Sequence, residues 1–118
     1  MDRSLTHKEK LTSRVREALA GTPSLVEKRM FGGVGFMVNG KMCLCVKDSA
    51  IICRVDSLER EELIRKKGCR PMTMGGREYK SYIRVEKTAL QRKDDLDYWI
   101  GVALEFNDRI KAIPRVAR

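Results

Sequence analysis

The stretch Arg29-Met30-Phe31-Gly32-Gly33-Val34-Gly35-Phe36-Met37-Val38-Asn39-Gly40-Lys41-Met42 decides the fold of this chain. It holds two apolar runs separated by Asn39-Gly40, a pair that tolerates positive φ at both positions and joins strands in tight hairpins. Val34 to Val38 therefore reads as one strand and Lys41 to Val46 as its partner. The glycines do not fit a phosphate cradle. A dinucleotide fingerprint carries a third glycine and opens a helix, whereas these open a strand. A P-loop requires Gly-Lys-Ser/Thr, and Gly40-Lys41 is followed by Met42. Gly32, Gly33 and Gly35 read instead as a bulge or a close backbone approach at a bent strand.

Working outward, Val26-Glu27-Lys28-Arg29-Met30 forms a charged first strand. Lys47-Asp48-Ser49 turns the chain into a fourth, Ala50 to Val55. Four strands without crossover helices form an antiparallel meander. Upstream, Thr6 with Glu9 is a capping box, and Leu11, Val15, Ala18 and Leu19 make one apolar stripe that stops at Gly21. Downstream, Asp56 or Ser57 caps a helix carrying Leu58, Leu63 and Ile64, which ends at Arg65-Lys66-Lys67-Gly68. Cys69 to Arg77, with Pro71 and Gly75-Gly76 as breakers, reads as a loop. Glu78 to Val85 is a strand. Asp94 caps a last helix with Leu96, Trp99, Ile100, Ala103, Leu104, Phe106 and Ile110 inward. The expectation is a two-layer α+β domain in the order α-β-β-β-β-α-β-α, an antiparallel sheet with three helices on one face. It spans residues 1–113, and 114–118 form a basic tail.

The 118 residues suit a single domain, and 42% hydrophobic content supplies its core. The N-terminus carries charges with no apolar run behind it, and no run approaches a membrane span, so a cytoplasmic protein without membrane partners is expected. Lys+Arg outnumber Asp+Glu by 25 to 16, a net charge of +9, which favours polyanionic partners without choosing among them. Arg14, Arg16, Arg65, Lys66, Lys67 and Arg70, with Arg109, Lys111, Arg115 and Arg118, are candidate nucleic-acid contacts. Against them, aromatics are 6% and no helix-turn-helix, zinc-finger or RNA-platform motif occurs.

Chemistry has few candidates. The one histidine, His7, starts the first helix, and no nucleophile or metalloprotease motif occurs. Cys43 and Cys45, two apart on a strand, share a face. The hairpin register places Phe36 opposite Cys43 and Val34 opposite Cys45, and pairing of Val46 with Ala50 brings Cys53 opposite Cys43. Cys43, Cys45 and Cys53, with Cys69 as a fourth, are the candidate metal or redox ligands. A Cys-x-Cys inside a strand does not wrap an ion, and core packing is the preferred role. No catalytic residue and no cofactor is assigned. Met37, Met42, Leu44, Val46 and Ile52 fall on the other face, so the sheet is apolar on both sides. Met37, Met42 and Leu44 make a candidate patch for a second copy or a protein partner, unless the last helix or the Cys69–Arg77 loop covers it.

The segment Arg29–Met42 resembles the signature of the N-terminal domain of the TfoX/Sxy competence-regulator family. Arg29, Met30, Phe31, Gly32, Gly33, Gly35, Phe36, Gly40 and Lys41 carry it, and the likeness continues through Ile51–Asp56, Arg70-Pro71-Met72, Lys80-Ser81-Tyr82, Asp97-Tyr98-Trp99 and Ala103-Leu104. The resemblance implies a TfoX-N-like, secretion-chaperone-like two-layer fold. It also implies a non-enzymatic module contacting the transcription machinery. Full-length relatives work beside the cAMP receptor protein and carry a second, helical domain, and this chain ends where that domain begins. A basic nucleic-acid-binding protein and a cysteine-based metal or redox protein are the other function classes left open.

Overall fold

The computed structural model describes residues 6–30 and 32–112, and the side chains up to 110. Phe31, the Lys111 side chain and the tail with Arg115 and Arg118 lie outside the described residues. The chain runs α1 (His7–Ala18), β1 (Leu25–Met30), β2 (Gly33–Val38), β3 (Lys41–Lys47), β4 (Ala50–Arg54), α2 (Arg60–Leu63), β5 (Cys69–Met74), β6 (Arg77–Val85), a 3-10 turn at Lys87–Ala89, and α3 (Lys93–Ala112). The strands form one antiparallel sheet in the order β1-β2-β3-β4-β6-β5. This is the α+β architecture expected, with one strand more.

The added strand is β5. Cys69 to Arg77 is no loop: Cys69–Met74 pairs with β6 along the edge of the sheet. The two breakers have other jobs. Gly75 and Gly76 both take positive φ, +60° and +78°, and make a two-residue hairpin turn. Pro71 sits at a register shift on an edge strand, where its missing N–H costs the ladder little.

Local signals account for the other elements. The Thr6 hydroxyl accepts from the Glu9 N–H, and the Glu9 carboxylate accepts from the Thr6 N–H, both at 3.0 Å. Asn39 (φ +56°) and Gly40 (φ +78°) adopt the left-handed turn that their sequence requires. The second helix is shorter than expected. It covers Arg60–Leu63, and Leu58 is 89% exposed, because Asp56 accepts from the Leu58 N–H in a turn of its own. In α3, Asp94 lies in the first turn and it is Asp95 that accepts from the Arg92 N–H.

One core lies between the sheet and all three helices. Leu11, Val15 and Leu19 from the first helix, Leu63 from the second, and Leu96, Trp99, Ile100 and Ala103 from the third pack on Phe36, Leu44, Val46, Ile51, Cys53, Ile83 and Val85. Each fully buried large side chain contributes about 1.5–3 kcal/mol. Asn107, buried in α3, donates to the Val38 carbonyl at 3.2 Å and ties the helix to the end of β2. No helix among the described residues is long and apolar enough to cross a membrane.

The hairpin register departs from the simple count. Val38 pairs with Lys41 and Met37 with Met42, but Phe36 pairs with Leu44 and Val34 with Val46. Cys43 is the extra residue of a bulge, so Cys43 and Leu44 both face the helices. Beyond the bulge the alternation is reversed, and Cys45 faces away from them. The next turn also slips by one: Lys47, not Val46, pairs with Ala50, which places Cys53 opposite Leu44.

Two glycines of the signature are needed for close approach. A Cβ on Gly33 would land on the Val46 carbonyl oxygen. A Cβ on Gly35 would overlap the Met30 thioether, so this glycine lets Met30 lie across the helix-free face.

Candidate functional site

The helix-free face of the sheet has a core of its own. Met42, Cys45, Ile52 and Met72 are buried there, ringed by the half-buried Met30, Met37, Met74, Tyr79 and Tyr82. None of these residues comes from a helix. Of the six methionines in the chain, five are in this cluster, drawn from β1, β2, β3 and β5. An antiparallel sheet covered on one side normally turns polar residues to water on the other. Here long thioethers lie over the small buried side chains instead, and Val26 at the β1 edge is 52% exposed.

The expected patch of Met37, Met42 and Leu44 is thus corrected. Leu44 is wholly buried on the opposite, helix-covered side because of the bulge at Cys43, as is Val46. Met37 and Met42 lie in the helix-free cluster. The sequence reading missed Met30, Met72, Met74, Tyr79 and Tyr82. The strand character of β5 was the missing signal, since it carries Met72 and Met74 into this face.

Cations border the apolar cluster at one end. Lys47, Arg70 and Arg84 line a cavity of about 420 Å³ with Pro71, Met72 and Thr73. Arg70 and Arg84 face each other across the β5–β6 ladder. Glu86 lies 2.7 Å from the Arg84 Nε and 3.8 Å from the Arg70 guanidinium. Met72 belongs both to this cavity and to the methionine cluster, so the two surfaces are continuous.

The other candidate nucleic-acid contacts are scattered over several elements, and several have local partners. Arg16 makes a bidentate pair with Glu27 at 2.6 and 2.9 Å, a hydrogen bond that holds the Glu27 carboxyl below its usual range and raises Arg16. Arg14 donates to the Arg92 carbonyl. Arg109 pairs with Asp56 and Glu59. Lys66 stands 5.4 Å over the Tyr98 ring, and Arg65 and Lys67 are exposed beside it.

The cysteines do not gather as the simple register implies. Cys43 and Cys53 are buried on the helix side, with Cys69 packed against that core, while Cys45 is on the other face. Burial pushes the Cys43 thiol up to about 12 and Cys69 to about 11, and it also raises Cys45 and Cys53. A nucleophilic or metal-binding cysteine needs the opposite, a thiolate stabilised near neutral pH. No group of three or more His, Cys, Asp or Glu side chains among the described residues is placed to hold a metal ion.

Of the remaining signature residues, Gly32 takes φ +74°. Arg29 lines a shallow cavity with Lys8, Arg16 and Gly33. Lys41 is half-buried, Lys80 and Pro71 are exposed, and Trp99 is buried on the inner face of α3.

Comparison with curated proteins and with solved structures gives no match. Comparison with protein families does. The TfoX N-terminal domain model matches residues 17–107, which run from the last turn of α1 through most of α3 and include every strand. The chain belongs to the TfoX N-terminal domain family.

Proposed function

We propose that this chain is a non-enzymatic regulatory module of the cytoplasm that works by contact with a protein tied to transcription. Membership of the TfoX N-terminal domain family supports the regulatory part. The observation that carries the contact part is the five-methionine cluster on the helix-free face. A methionine surface is polarisable and adaptable, and it fits a partner by changing rotamers. An apolar sheet face that no helix among the described residues covers is the kind of surface that partners bury.

The test is complementation. Transcripts are compared between cells lacking the gene and cells given back either the wild-type chain or a Met37→Glu/Met74→Glu chain. Both positions are at the half-buried rim, so the variant is expected to fold, and a thermal melt checks this. The reading predicts that the folded variant leaves the deletion's transcript changes uncorrected. Full correction contradicts it.

A further inference from the structure

Arg70 and Arg84 form a directly opposed like-charge pair on the helix-free side of the β5–β6 ladder. Like charges in that position are destabilising. Glu86 offsets part of the repulsion from one side, at 2.7 Å from Arg84 and 3.8 Å from Arg70. Lys47 brings a third cation to the same cavity and has no ion-pair partner among the described residues. Three cations thus line one recess of about 420 Å³, and Glu86 pairs with two of them. Sequences tend to keep such local conflicts where a ligand resolves them.

The rest of the lining decides what kind of ligand. It is Pro71, Met72 and Thr73, and Met72 also belongs to the cluster of Met42, Cys45 and Ile52. A sugar-phosphate backbone would satisfy the cations and leave the methionines uncovered. A peptide with both carboxylates and apolar side chains satisfies both.

We infer that the Lys47/Arg70/Arg84 recess takes a carboxylate side chain from an acidic, apolar segment of a protein partner, whose apolar residues lie across the adjoining methionine face. This rests on the protein-contact reading above and adds to it the chemistry of the partner and the direction in which it lies. The guanidiniums supply paired N–H donors that match a carboxylate.

The test uses the whole chain with carbon-13-labelled methionine methyls and three probes. These are a short synthetic peptide of alternating aspartate and leucine, its counterpart with lysine for aspartate, and a short DNA duplex. The expected result is saturable binding of the acidic peptide with shifts at Met72 and its neighbours. Binding weakens about tenfold or more in Arg70→Glu/Arg84→Glu. Arg70→Gln, a change at an exposed rim position, gives a smaller loss in the same direction and guards against misfolding of the double variant. Equal binding of the acidic and basic peptides overturns the inference, as does DNA displacing the acidic peptide from the same residues. Acidic-peptide binding that survives Arg70→Glu/Arg84→Glu but is lost in Met37→Glu/Met74→Glu also overturns it, while leaving the contact face itself standing.

Discussion

Phe36 pairs with Leu44 across the β2–β3 ladder, and both are wholly buried beneath the helices. This pairing sets which side chains face the helices and which are left to the methionine face. Leu44→Ala is expected to cost about 2–5 kcal/mol, since the site is closed on every side. Met37→Ala, at a half-buried rim position, is expected to cost about 1 kcal/mol or less. Denaturant unfolding of the two variants measures both, and equal losses would place Leu44 and Met37 in similar surroundings.

The thiols give a pH prediction. Their folded pKa values are raised by burial, from 9.0 to about 12 for Cys43 and about 11 for Cys69. The unfolded chain therefore loses these protons first as pH rises. Stability owed to the neutral thiols is present in full below pH 9 and declines through the interval up to about 12. Iodoacetamide labelling read by mass spectrometry is expected to leave Cys43 and Cys53 unmodified at neutral pH in the folded chain. Cys69, which is half-buried, labels first as pH is raised. Rapid neutral-pH labelling of Cys43 or Cys53 would show an activated thiol and reopen the redox reading.

The glycine-rich segment gives a third. Gly40 has φ +78° at the hairpin turn, and Gly40→Val is expected to cost about 1–2 kcal/mol from backbone strain. Gly33→Ala works differently, because its Cβ meets the Val46 carbonyl and the backbone must shift. Circular-dichroism melts should show both variants destabilised. A neutral Gly33→Ala would mean that β2 and β3 are further apart at that end.

A fourth concerns Arg60, whose side chain is almost wholly buried and pairs with Glu78. Removing Glu78 leaves the buried cation only its longer contact with the exposed Glu61 at 3.4 Å, whereas replacing the cation with an apolar chain leaves no buried charge. Glu78→Ala is therefore expected to lower the melting temperature more than Arg60→Met does. The reverse order would show that the aliphatic stem of Arg60, rather than the charge pair, is what the fold needs.

Much of this molecule was legible in its sequence because the signals were local. The Thr6/Glu9 box, the Asn39-Gly40 turn and the apolar stripe of α3 are each written in a few neighbouring residues. What was not legible was non-local. The bulge at Cys43 has no turn residue to announce it; it exists because Cys43 and Leu44 can both be buried under the helices, a property of the packing. Pro71 and Gly75-Gly76 read as breakers, yet they serve as an edge-strand residue and a hairpin turn. Missing β5 hid Met72, Met74 and the Arg70–Arg84 opposition, so the cationic recess was not seen, while missing the bulge put Leu44 in a patch with Met37 and Met42. The expectation of a sheet apolar on both faces holds for Met37, Met42 and Ile52, which lie together on the helix-free face, because their placement needed only strand alternation up to the bulge and along β4.

The most direct test of the account is photo-crosslinking in the protein's own cells. A crosslinking residue is placed in turn at Val26, Met37 and Met74 on the helix-free face, and at Glu17 and Tyr98 on the helices. The account predicts adducts with one protein partner from Val26, Met37 and Met74, and none with it from Glu17 or Tyr98. Adducts formed from Glu17 and Tyr98 instead, or nucleic acid in place of protein at the methionine face, would contradict it.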